Sequence, residues 1–126
     1  MTTCISFLRV PDIAQTINWY ERIGFKCVGT HQEPGCALDW AMLDLEGATF
    51  MLYPDERSTI SKDKDAGLYF YMKSIDELIE VLKSVNAYII EVSEETEYGR
   101  REVVFKDLNG FQVTFSCEPR KLYFPQ

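Results

Sequence analysis

LRVPDIAQTINWYERIGFK, residues 8–26, and FYMKSIDELIEVLKSVNAY, residues 70–88, superpose at one constant offset, and what coincides is a set of physical signals as well as letters. In the first copy an extended run, residues 5–10, leads to Asp12, a helix N-cap with Gln15 three positions on as its capping-box partner. Ser74 and Glu77 repeat that device in the second copy. Apolar residues then recur at helical spacing, as Ile13, Ile17 and Tyr20, and as Ile75, Leu78, Ile79, Leu82 and Val85. Each helix thus has one face to bury. Gly24 and Asn86 stand just past the two helices, where a left-handed residue commonly ends the turn.

Working outward, residues 25–30 and 87–92 read as the next strands, and each copy closes on a hairpin. The first hairpin pairs residues 40–43 with 48–53 around Asp44-Leu45-Glu46-Gly47; the second pairs 102–106 with 111–117 around Asp107-Leu108-Asn109-Gly110. Asp-x-x-Gly suits a type I turn ending on a glycine at positive φ. The repeated order is strand, helix, strand, strand, strand, and the class is α+β. Residues 1–126 form a single domain of two βαβββ modules, 4–53 and 67–117, with an exposed linker at 54–66 and a tail at 118–126.

The 126 residues suffice for one core, and a chain 46% hydrophobic and 26% charged is ordinary for a globular protein. With 13 Lys+Arg against 20 Asp+Glu the net charge is −7, and no basic stripe tracks a phosphate backbone, which argues against nucleic acid. The acidic surface either attracts cationic ligands or serves solubility. Every apolar run is interrupted by Asp, Glu or Lys well short of a bilayer span, so no membrane-embedded role is expected. Cys4, Cys27, Cys36 and Cys117 are scattered, form no Cys-x-x-Cys pair and follow no secretory leader; reduced thiols and a cytoplasmic setting are the expectation.

Phe7-Leu8-Arg9-Val10-Pro11-Asp12-Ile13, Trp19-Tyr20 and Ile23-Gly24-Phe25 resemble the opening of glyoxalase, bleomycin-resistance and extradiol-dioxygenase proteins, the vicinal oxygen chelate superfamily. Tyr98-Gly99-Arg100-Arg101-Glu102 with Asp107-Leu108-Asn109-Gly110-Phe111 carries the same resemblance, which extends over residues 4–117. It implies a curved eight-stranded mixed sheet with the site on its concave face, commonly in a homodimer, and in the metalloenzymes a divalent ion. Carried over, the ligand positions fall on Ile5, Met51, Gly67 and Thr114, none of which supplies an imidazole or a carboxylate. The only histidine, His31, near Glu33 and Cys36, is expected to be a surface or packing residue.

The resemblance therefore implies a protein with no metal and no cofactor. It would resemble the bleomycin-resistance proteins and sequester an aromatic or cationic compound, an antibiotic-resistance role in those relatives. The alternatives are a metal-dependent glyoxalase-like lyase, isomerase or dioxygenase, an enzyme using Glu102 or a tyrosine for general acid–base chemistry, and a dimeric interaction module with a collapsed cavity. Strand alternation and the family's ligand face together put Ile5, Phe7, Arg9, Thr49, Met51, Tyr53, Tyr69, Tyr71, Gln112, Thr114 and Ser116 towards the cavity. These aromatics either receive a flat guest or fill the space between strands. Arg9 either meets a guest's acidic group or pairs internally with Glu102 or Asp44. Trp40 faces the cavity or the core according to whether the Asp44–Gly47 turn carries a bulge. Tyr98, Gly99, Arg100 and Arg101 either form a flexible rim or balance Glu94, Glu95 and Glu97. The expected binding set is Phe7, Arg9, Trp40, Met51, Tyr53, Tyr69, Tyr71, Tyr98, Arg101 and Thr114.

Overall fold

The computed structural model describes residues 1–57 and 64–119. The first module runs β1 (Ser6–Val10), α1 (Ile13–Arg22), β2 (Lys26–Gln32), β3 (Leu38–Leu45), β4 (Ala48–Pro54), and the second β5 (Gly67–Tyr71), α2 (Asp76–Ser84), β6 (Tyr88–Ser93), β7 (Arg101–Lys106), β8 (Gln112–Cys117). The eight strands fall into two four-stranded sheets, ordered β1-β4-β3-β2 and β5-β8-β7-β6. In each, the opening strand lies parallel to the last and the hairpin strands are antiparallel. The chain divides into two compact units, the first within residues 1–66 with the 108–110 turn, the second on the remaining described residues from Gly67. Of the residues assigned to the linker, Pro54 belongs to β4 and 58–63 lie outside the described residues. No helix among the described residues is long and apolar enough to cross a membrane.

Alternation decides which side chains each sheet buries. In the first unit Leu8, Val10, Ala41, Leu43, Phe50 and Leu52 are buried. Tyr20 of α1 meets Phe50 edge-on, ring centroids 5.1 Å apart, and Phe25 at 5.2 Å. In the second, Leu68, Phe70, Val103, Phe105, Val113 and Phe115 are buried, with Phe70 and Phe115 stacked at 4.6 Å. The opposite faces of both sheets are left to carry the aromatic residues singled out above.

The duplication goes deeper than the letters. Strands β2 and β6 are bulged at equivalent places, between Cys27 and Gly29 and between Ile89 and Glu91, and Gly24 (φ 111°) and Asn86 (φ 57°) both take the left-handed conformation. The caps and turns have diverged. Asp12 caps α1 as expected, its Oδ1 accepting the Gln15 N–H at 3.0 Å. Ser74 does not cap α2: the helix is entered through Ile75 with no side-chain cap, and Ser74 Oγ accepts only a long 3.4 Å bond from Asp76 N–H. The first hairpin has a two-residue loop, since Leu45 pairs with Ala48 and both Glu46 (φ 50°) and Gly47 (φ 94°) are left-handed. That is the primed geometry matching strand twist, not the type I turn expected. The second keeps the expected form, with Asp107 Oδ1 accepting the Phe111 N–H at 3.0 Å and Gly110 at φ 91°.

Candidate ligand-binding site

On the open face of the first sheet, β1 contributes Phe7 and Arg9 and β4 contributes Met51 and Tyr53, directly opposite one another in the parallel register. The Arg9 guanidinium lies 5.7 Å from the Phe7 ring and 5.8 Å from the Tyr53 ring, and the two rings meet edge to face at 5.3 Å. Two aromatic contacts of this kind fix a flexible cation without neutralising it. Arg9 donates to the Pro54 carbonyl at 3.3 Å and, among the described residues of its own unit, forms no ion pair with Asp44.

Trp40 is settled by register. Ala41 and Leu43 are fully buried opposite Leu52 and Phe50, so Trp40 and Met42 face the open side with Met51. The strand that bulges is β2, not the Asp44–Gly47 turn. Trp40 stands opposite His31, and its six-membered ring covers Gly29, where a Cβ would come within 3.0 Å of two ring carbons. A glycine inside a strand commonly marks such an approach, a signal present in the sequence at Gly29 and not used there.

Arg9, Trp40 and Tyr53 line one hollow of about 550 Å³ with His31, Asp39, Pro54 and Glu56. His31 Nδ1 is 2.7 Å from Asp39 Oδ1 and Nε2 is 3.9 Å from Glu33. The hydrogen bond to Asp39 raises the imidazole pKa above its ordinary value. Asp39 is thus the nearer of its two acidic neighbours.

The four positions that the resemblance gives to metal ligands do not fit a divalent ion. Ile5 offers hydrocarbon, Met51 a thioether and Thr114 a buried hydroxyl, whereas hard cations take carboxylate and carbonyl oxygen and zinc takes imidazole, thiolate or carboxylate. Gly67 opposes Gln112 at the start of the β5–β8 ladder, and a Cβ there would lie 2.7 Å from the Gln112 carbonyl oxygen. Among the described residues, one group of acidic and imidazole side chains converges closely enough for an ion, His31, Glu33 and Asp39, within 4.8 Å of one another. It includes none of the four positions, and His31 Nδ1 in it is already engaged by Asp39.

On the second sheet Tyr69 pairs with Thr114 and Tyr71 with Ser116 across β5–β8. Tyr69 and Tyr71 are exposed, their rings 5.3 Å apart, but Thr114 and Ser116 are buried. Glu102, opposite Ser116 on β7, is also buried. Its carboxylate accepts from Tyr98 Oη at 2.6 Å and from Tyr69 Oη. The bond to this carboxylate pushes the Tyr98 phenol above its usual range. Arg100 Nε donates to Ser116 Oγ at 2.9 Å. The segment read either as a rim or as a balance for acidic neighbours forms a turn, with Thr96 N–H bonded to the Arg100 carbonyl at 2.6 Å and Gly99 N–H to the Thr96 carbonyl at 2.9 Å. Arg101 points to the other side of β7, buried, with Nε 2.8 Å from Glu94 and a terminal nitrogen 2.9 Å from Asp76. It balances acidic neighbours and does not join the tyrosines.

A sequence profile of the Glyoxalase/Bleomycin resistance protein/Dioxygenase superfamily matches residues 3–115. Comparison with curated protein sequences gives no match. Among solved structures, TioX from Micromonospora sp. ML1 is 20% identical with a TM-score of 0.73, over 97% of this chain and 100% of that one. A bleomycin-binding protein complexed with bleomycin is 16% identical with a TM-score of 0.73, over 94% and 99%. The fosfomycin resistance protein FosX from Listeria monocytogenes is 12% identical with a TM-score of 0.71, over 93% of each chain. Identities this low carry the fold alone.

Proposed function

We propose, on the premise that the chain belongs to the Glyoxalase/Bleomycin resistance protein/Dioxygenase superfamily, that it binds a small aromatic molecule without a metal ion and sequesters it unchanged. The observation that carries this reading is Gly67. At a position that the resemblance gives to a metal ligand, a first side-chain carbon would come within 2.7 Å of the Gln112 carbonyl oxygen, so a ligand there requires a backbone shift.

The first sheet supplies what a flat guest requires. Trp40 and Tyr53 offer ring surface at low rotamer cost, and the hollow between them is within the size range of sites for small organic molecules. Arg9 is held by Phe7 and Tyr53 with most of its N–H groups left for an acidic or carbonyl group on the guest. That a bleomycin-binding protein shares the fold is in keeping with sequestration. The reading includes a homodimer, for which Tyr88, Ile90 and Val92 are exposed on edge strand β6. It also includes a cytoplasmic setting, which suits four unpaired cysteines.

Elemental analysis of protein purified without chelator, followed by a thermal-shift screen of planar aromatic acids and amines, tests it. A stabilising compound recovered unchanged by mass spectrometry, with metal well below one ion per chain, supports sequestration. A compound that disappears, or one tightly held ion per chain, makes the protein an enzyme. Sedimentation velocity decides the dimer.

A further inference from the structure

Glu102 is 5% exposed, and none of the ion pairs among the described residues includes it. Tyr98 and Tyr69 satisfy its two oxygens. Phenols supply hydrogen bonds but no countercharge, and buried carboxylates are ordinarily paired with a cation. Among the described residues one cation does reach this face. The Arg100 guanidinium lies 4.6 Å over the Tyr71 ring, yet it is tied to Ser116 Oγ and to the exposed Glu118 carboxylate, 2.9 Å each, not to Glu102. The face thus combines a buried carboxylate with no ion-pair partner among the described residues, three tyrosines, and a planar cation drawn from the chain itself onto one of the rings. Aromatic faces beside a carboxylate are the chemistry that selects organic cations over neutral molecules of the same shape.

We propose that Glu102, Tyr69, Tyr71 and Tyr98 form a subsite for the amidinium or guanidinium group of an organic cation, and that Arg100 occupies its aromatic part until the guest arrives. Tyr98 is 64% exposed on the 96–100 turn, and rotation of its side chain opens Glu102 Oε1. The guest then takes the place of the Tyr98 proton donor and adds the missing positive charge, while Arg100 stays on Glu118. The inference rests on the reading of the chain as a small-molecule binder but uses none of the first sheet's residues.

Nitrogen-15 NMR titration with benzamidine, and in parallel with its neutral isostere benzamide, tests it on the wild type, Glu102→Gln, Arg100→Ala and Arg9→Ala. Benzamidine is expected to shift resonances of β5, β7 and the 96–100 turn, with benzamide leaving them in place. Affinity for benzamidine is expected to fall at least about tenfold in Glu102→Gln, the loss of one charge-assisted contact, and to rise in Arg100→Ala. Arg9→Ala separates the two readings, because it weakens any guest of the first sheet and leaves these shifts intact. Equal response to benzamidine and benzamide, shifts confined to β1–β4, no binding, or unchanged affinity in Glu102→Gln each overturns the inference. Should Glu102→Gln fail to fold, the contrast between the two probes on the wild type decides alone.

Discussion

Gly67 and Gly29 both leave room for a neighbour, but the neighbours differ in what they can yield. At Gly67 a methyl would meet a carbonyl oxygen fixed in the β5–β8 ladder, and at Gly29 the ring of the half-buried Trp40. Gly67→Ala is therefore expected to cost about 1–3 kcal/mol, the range for overpacking against a rigid neighbour. Gly29→Ala is expected to tilt the indole, changing Trp40 emission more than stability. Urea unfolding read beside fluorescence separates the two; a harmless Gly67→Ala would remove the argument against a metal ligand there. His31 yields a pH prediction. Its pKa is raised by Asp39, so the protonated ring favours the folded state. That contribution is fully present below the unfolded histidine value of about 6.5 and is lost as pH rises through the folded value. In Asp39→Asn the His31 titration followed by NMR is expected to fall back towards 6.5, and an unchanged titration would show that the contact does not form in solution.

Helices α1 and α2 occupy equivalent places in the repeat but begin differently, and stability should register it. Asp12→Ala removes a side-chain bond to the Gln15 N–H and is expected to cost about 1 kcal/mol. Ser74→Ala removes two long, exposed contacts to Asp76, 3.4 Å from its N–H and 3.3 Å to its carboxylate, and is expected to stay within about 0.5 kcal/mol of wild type. Equal losses in chemical denaturation would mean that Ser74 caps α2 after all. Both caps looked alike in the sequence because Asp-x-x-Gln and Ser-x-x-Glu carry the same code; what separates them is that α1 starts directly after Asp12 and α2 starts one residue later in the repeat, after Ile75. Element order, helix ends and strand faces were legible from Gly24, Asn86 and the alternation through Leu8, Val10, Phe50 and Leu52, since each reports on its own few neighbours. The bulges at Val28 and Ile90 were not, although they repeat. The burial of Glu102 and Ser116 was not legible either, because the turn leading into β7 brings Tyr98 onto the first and Arg100 onto the second.

At the scale of the whole molecule the question is whether any resident ion contributes to the fold. A bound ion stabilises the native state by mass action, about 2.7 kcal/mol when its concentration is a hundred times its dissociation constant. In a chain of 126 residues that is on the order of 10 °C in melting temperature. On the proposed metal-free reading, with Ile5, Met51, Gly67 and Thr114 at the positions where the resemblance would hold an ion, a chelator would have nothing to remove from either sheet. The melting temperature is therefore expected to change by no more than about 1 °C on dialysis against EDTA. Subsequent nickel, zinc, manganese or iron(II) should not raise it. The surface carries a net charge of −7 and attracts any divalent ion weakly and without geometry, so a small shift that vanishes in moderate salt belongs to that background. A loss of several degrees in EDTA, restored by one metal and insensitive to salt, would place an ion in the fold and return the metal-dependent enzymes to the front.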